Sequence, residues 1–190
     1  MGNSEINLNK HISELFLSDA RDFLIRYQNL KESATHIGLR SKLFVELLFA
    51  VECSLKSLFF IESQLDEKET YKKVKKLSHN IEDLISNLKP ESQTKFQELI
   101  TIDLNYYRVF NRYLVESEIV FREDVGILGK QYYSTIANFV WMDEIYSQIQ
   151  TFIDYIQAKN PFEFKIFKIS EIDIELEIEK HNKLKQIISR

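Results

Sequence analysis

The stretch LFVELLFAVECSLKSLFFI, residues 43–61, decides how this chain folds. Leu43, Phe44, Val45, Leu47, Leu48, Phe49, Val51, Leu55, Leu58 and Phe59 leave it no solvated side in a helical projection. Glu46, Glu52 and Lys56 interrupt the run. Each such charge near a bilayer centre would cost about 2.5–3.5 kcal/mol, so the segment is not read as a membrane span. It predicts instead a helix over about 39–63, surrounded by other helices or by a partner subunit. Ala50, Cys53 and Ser57 follow Glu46 at steps of four, three and four, a ridge of small residues along which another helix can come close.

The rest of the 190-residue chain supports an all-α reading in one domain. Glycine stands only at 2, 38, 126 and 129 and proline only at 90 and 161, too few turn residues for a many-stranded sandwich or barrel. Hydrophobic residues make up 44%, enough for a real core. Residues 1–160 are expected to form an antiparallel up-and-down bundle of about five helices, and 161–190 a C-terminal extension. A first helix from about 9 to 34 is marked by Ile12, Leu15, Phe16, Phe23, Leu24, Tyr27 and Leu30 at three- and four-residue steps. Residues 64–77 are polar and lysine-rich and read as a linker. A third helix starts near Ser78–Asn80 and stops before Pro90, a fourth covers about 91–115, and 116–131 reads as a long loop. A fifth helix, about 132–159, presents Ile136, Phe139, Val140, Ile145, Ile149, Phe152, Ile153 and Ile156 to the core, and Asn160-Pro161 ends it.

The tail changes period. Ile172, Ile174, Leu176 and Ile178 alternate with Glu171, Asp173, Glu175, Glu177 and Glu179, which favours a β-like or extended tail. A helix capped by Ser170 is the other reading. Strands here would pair with a second subunit or another protein, because a lone hairpin is marginal in water.

A net charge of −4 gives no global attraction to nucleic acid or anionic lipid, so contact with RNA would need a local basic patch. Cys53 is alone, which excludes an intramolecular disulfide and a cysteine zinc cage. The opening MGNSEINLNK has no apolar signal core, and Ile6 stands where the myristoylation pattern requires Ser or Thr. A cytoplasmic protein without membrane association is the expectation. No metal-ligand spacing and no glycine-rich phosphate loop is present, so no cofactor is expected.

Candidate site residues lie in three places. His79 sits between Ser78 and Asn80, either of which can cap the helix that begins there. Its imidazole is placed to bond a neighbouring helix or a phosphate. Glu52 and Lys56, four apart with the glutamate first, form a structural pair among apolar neighbours. On the fourth helix Thr101, Asn105, Arg108 and Arg112 make a polar stripe whose two arginines can clamp a phosphate, with Tyr113 adjoining. The alternative is a plain solvated face. Asp103 falls on the apolar side and needs a partner: a tyrosine hydroxyl, His79, or a group across a dimer interface.

These pieces resemble a known family. FAVECSLKSLFF (49–60) is similar to the second helix of the HEPN superfamily (higher eukaryotes and prokaryotes nucleotide-binding), where an A-x-E-x-x-L-K-x-L core is common. SHNIEDL (78–84) resembles that family's glycine-histidine-aspartate-leucine motif at the start of the next helix, with Ser78 and Asn80 replacing the usual residues. NRYLVE (111–116) resembles the Arg-Tyr at the end of the fourth helix, and order and spacing agree from about Ser18 to Ala158. The resemblance implies a helical bundle, frequently a homodimer, in nucleotide- or RNA-linked roles. It also implies partners such as nucleotidyltransferases in toxin–antitoxin or antiviral systems. Ribonuclease members carry an arginine and a histidine separated by four to six residues. Here Arg112 is followed at those distances by Ser117, Glu118 and Ile119, and Arg26 precedes His36 by ten positions. The expected function is therefore a non-catalytic dimeric binding module for a nucleotide, RNA or partner protein. The alternatives are a divergent ribonuclease using Arg112 with His79, Glu116 or Glu118, and an interaction module that uses its tail for strand addition.

Overall fold

The computed structural model describes residues 7–102, 104, 113–122, 130–161 and 174–189. Among them are nine α-helices and no strand. They are α1 (Leu8–Lys31), α2 (Ile37–Glu62), α3 (Glu67–Leu77), α4 (Ile81–Ser86), α5 (Pro90–Leu99), α6 (Leu114–Arg122), α7 (Lys130–Ser134), α8 (Phe139–Lys159) and α9 (Ile174–Ile188). The all-α class agrees with the sequence reading; the division into about five helices does not. None of the described helices is long and apolar enough to cross a membrane.

α2 is the axis of the molecule. It packs against α1, α8, α4, α6 and α3, which is why it carries no polar face. Phe44, Leu47, Leu48, Val51, Leu55, Leu58 and Phe60 are at most 1% exposed, each contributing about 1.5–3 kcal/mol through burial. The ridge of small residues receives α1: Ser13 Oγ lies 3.0 Å from Ser57 Oγ, both buried, and Ala20 has no exposed surface. α8 closes the other side with Ile145, Ile149, Phe152, Ile153 and Ile156 buried. Phe44 stacks on Trp141 with ring centroids 5.5 Å apart. Val140, expected in the core, is on the surface instead, 78% exposed, and Leu15 and Leu30 of the first helix's apolar repeat are exposed as well.

The lysine-rich segment 64–77 is not a linker but mostly helix. Asp66 caps it, accepting the Glu69 N–H at 2.9 Å, and Thr70 and Val74 are buried beneath it. Acidic Glu67 and Glu69 in the first turn and Lys75 and Lys76 in the last complement the helix dipole. Its apolar stripe is narrow enough for the lysines to hide it in a composition reading. The next helix is only Ile81–Ser86, and Pro90 starts α5 as its first residue rather than merely ending what precedes it.

The expected fourth helix, 91–115, ends at Leu99. Ile100 is extended (φ −107, ψ 94). Ile100, Thr101 and Ile102 are successive β-branched residues, poor helix formers, and Gln148 on α8 rewards the break. Gln148 accepts the Thr101 N–H at 3.0 Å and donates to its hydroxyl at 2.9 Å. α6 covers Leu114–Arg122, so the loop expected over 116–131 is helical through Arg122, and 123–129 lie outside the described residues. The expected fifth helix is broken between α7 and α8, where Asn138 accepts the N–H groups of Val140 and Trp141.

The β-like tail is corrected from Ile174 onward. Ile174, Leu176 and Ile178 belong to α9, whose Leu184 and Ile187 dock against α1 and α3. Glu177–Lys180 and Glu179–Lys183 ion pairs, at 2.7 and 2.9 Å, join residues three and four apart along it. The alternation spans the acidic first turns, while the docked half repeats at helical spacing. Residues 162–173, including Ser170 and Ile172, lie outside the described residues.

Candidate functional site

The α3–α4 junction brings together side chains from two separate stretches of the sequence. Ser78, the C-cap of α3, has φ 54 and ψ −122, the only positive φ at a non-glycine among the described residues. The chain reverses there, and Asn80 caps α4 by accepting the Asp83 N–H at 3.2 Å while its amide donates to the Asp83 carboxylate at 2.7 Å. Asn80, not Ser78, is thus the cap of the new helix. Between them His79 turns towards α2.

His79 Nδ1 lies 2.8 Å from Glu52 Oε2, and Lys56 Nζ donates to Glu52 Oε1 at 2.5 Å. Glu52 is almost wholly buried, with its side chain 5% exposed, whereas the His79 side chain is 53% exposed. Burying a carboxylate this deeply is costly unless both oxygens are bonded, and here both are. With Nδ1 facing Glu52, Nε2 is the ring nitrogen that Glu52 does not engage. Aromatic rings frame the cluster: Phe49 meets the imidazole edge-on at 6.1 Å, and the Lys56 ammonium lies 5.9 Å from the Phe16 ring centre. A cleft of about 270 Å³ between α4 and α5, lined by Ile81, Ile85, Phe96 and Ile100, adjoins the same helix.

Other expected site residues fall elsewhere. Tyr113 is half-exposed just before α6, and its carbonyl accepts the Ser117 hydroxyl at 2.9 Å. Asp103, Asn105, Arg108 and Arg112 lie outside the described residues. Thr101, expected beside them on a helical stripe, sits past the end of α5.

Three polar clusters went unnoticed in the sequence. Arg26 donates to Glu46 at 2.8 Å, while the other Glu46 oxygen is buried with no hydrogen-bond partner. Burial pushes that carboxyl above its ordinary range, and the Arg26 charge opposes the rise. Glu62 accepts the Lys89 N–H at 2.9 Å, the Ser92 hydroxyl at 2.5 Å and the Lys159 ammonium at 3.2 Å, tying α2, α5 and α8. Asp143 accepts the Tyr27 hydroxyl at 2.9 Å and the Lys31 ammonium at 2.5 Å, tying α8 to α1. Each joins residues 20 or more positions apart, a separation that periodicity does not register.

Cys53 is buried in α2, and burial pushes its thiol up to about 12, the Glu52 and Asp19 charges adding to the effect, an environment that disfavours the thiolate. Among the described residues no group of three or more His, Cys, Asp and Glu side chains is placed to hold a metal ion. Comparison with protein-family models, with curated proteins and with solved structures finds no match to this chain.

Proposed function

We propose that this chain is a HEPN-like module, dimeric and without catalysis of its own, that binds a nucleotide, RNA or a partner protein. The observation that supports this reading is the α3–α4 junction. Ser78 stands where the resembled motif has glycine, and its φ of 54 is the conformation that favours glycine. One residue on, His79 meets Glu52, the glutamate of the A-x-E-x-x-L-K-x-L core, which in turn holds the Lys56 of the same core. Two motifs aligned by resemblance alone thus share one polar contact.

The binding surface in this reading comprises Arg108, Arg112 and Asn105, with His79, Asn80 and Tyr113 as further contacts. Arg112→Ala and Arg108→Ala should weaken binding to a panel of RNAs and nucleotides without loss of helical circular dichroism. Proteins of toxin–antitoxin or antiviral systems, nucleotidyltransferases among them, are the partners to co-express. Unchanged affinity for every RNA, nucleotide and partner that binds the native chain would overturn the assignment of this surface.

One observation favours a second reading, a metal-independent ribonuclease. A buried carboxylate on Nδ1 of a half-exposed histidine is an arrangement suited to general acid–base work at Nε2. Cleavage of RNA in the presence of a chelator, abolished in His79→Ala, would support it; intact RNA after prolonged incubation would dismiss it.

A further inference from the structure

We propose that α3 is a track for the phosphate backbone of single-stranded RNA, with Lys68, Lys72, Lys75 and Lys76 as its contacts. The choice of RNA among polyanions rests on the binding reading above; the track itself rests on α3.

Lys68, Lys72, Lys75 and Lys76 follow one another at steps of four, three and one, within about 100° of arc on a helix of 3.6 residues per turn. All four are exposed, and none has an ion pair or hydrogen bond within the described structure. Lys73 lies off the row, its ammonium 5.3 Å from the Phe59 ring centre. Other exposed helical lysines without an ion pair, such as Lys10, Lys42 and Lys185, stand singly, while Lys95 is answered by Glu98 and Lys180 by Glu177. On α3 the carboxylates Asp66, Glu67 and Glu69 are confined to the N-terminal end, so the row becomes more cationic towards Leu77. His79 follows two residues beyond that end, half-exposed, its ring held by Glu52. In a chain of net charge −4, four unanswered ammonium groups on one face of a single helix are a local exception.

A single strand fits this geometry better than the other polyanionic surfaces. α3 has 11 residues and spans about 16 Å, a linear row of point charges of the kind lysine offers to phosphates. A helix that inserts into a lipid surface needs an exposed apolar face. The apolar face of α3 is spent on the bundle, with Val74 2% and Thr70 0% exposed and Tyr71 and Leu77 packed against the core. An acidic peptide would call for an apolar pocket beside the charges to fix its register, and the cleft beside Lys68 is also lined by Asp66 and Glu67, which would repel it.

The test is the salt dependence of binding between the full chain and a fluorescent single-stranded RNA of roughly ten nucleotides, a length in the range of one backbone-tracking site. The native chain is compared with the triple variant Lys72→Gln, Lys75→Gln, Lys76→Gln and with Lys42→Gln, an exposed lysine on α2. Because glutamine is nearly as good a helix former as lysine, the variants should keep the fold. Each lost phosphate contact removes about 0.7 from the slope of log affinity against log salt. The triple variant should therefore show a slope shallower by about two and bind on the order of a hundredfold more weakly near 0.1 M salt. Lys42→Gln should match the native chain. If the triple variant binds RNA as the native chain does, the track is wrong and the arginine surface proposed above stands unaffected. If the native chain binds no RNA at low salt, or binds phosphatidylserine vesicles in its place, the track is overturned together with RNA as the ligand of the binding module.

Discussion

His79 Nδ1 and Glu52 Oε2 stand 2.8 Å apart although 27 positions separate the two residues in the chain. The contact closes the α3–α4 junction onto α2 and gives the second oxygen of a buried carboxylate its bond. Removing the imidazole leaves that oxygen unsatisfied. His79→Ala is expected to destabilise the protein by about 1–3 kcal/mol, and His79→Asn, which keeps a donor, by less. Urea unfolding of the two variants measures the difference; a His79→Ala midpoint equal to the native one would show that Glu52 does not depend on the ring.

Ser78 carries the backbone strain of the same junction. A non-glycine residue at φ 54 and ψ −122 is disfavoured by about 1–3 kcal/mol. Ser78→Gly should therefore stabilise the folded chain, by about 1 kcal/mol once the extra freedom of glycine in the unfolded state is subtracted. Thermal melts of Ser78→Gly and Ser78→Ala separate this from loss of the hydroxyl, since only the glycine variant should gain.

Glu46 offers a pH signature. Burial holds its folded-state carboxyl above the ordinary range, against the Arg26 charge. The folded state therefore binds the Glu46 proton more tightly than the unfolded one does. The contribution of this group is complete below its ordinary value near 4.5 and fades as pH rises through the raised folded value. Glu46→Gln removes the titration, and its pairing with the largely exposed Arg26 contributes little to offset that. The variant should gain on the native protein as pH rises from about 4 to about 7. Urea midpoints at both pH values decide it; a gap that does not change with pH would count against the burial account.

Glu62 acts as a remote cap for α5. It accepts the Lys89 N–H where Lys89 itself has no side-chain cap. Glu62→Ala frees that donor and leaves Ser92 and Lys159 without their shared acceptor, a loss of about 1–2 kcal/mol on the scale of helix caps. Hydrogen exchange should quicken at the first turn of α5 more than in α1, and equal exchange in both would refute a local role.

Local pattern and long-range contact divide the legible from the illegible here. α1, α2 and α8 were readable because each repeats its apolar residues over many turns; their observed limits differ from the expected ones by a few residues, apart from the seven-residue advance in the start of α8. α3 was missed because five lysines outweighed Tyr71, Val74 and Leu77 in any composition reading. The break at Ile100 was missed because the side chain that rewards it, Gln148, comes from another helix. The tail misled because Ile174, Leu176 and Ile178 alternate locally, and only contact of Leu184 and Ile187 with α1 and α3 makes the helical period pay off.

At the candidate site the residue types were legible one by one: a glutamate and lysine four apart, and a histidine between two capping residues. By itself the sequence determined the helical class, the buried identity of α2 and the separation of Glu52 from Lys56, because all three follow from the 3.6-residue repeat within a single segment. Only the tertiary structure decided that His79 completes that pair and that the lysines of α3 share an open face. Those outcomes depend on how α3 and α4 lie against α2, a through-space relation that packing alone imposes.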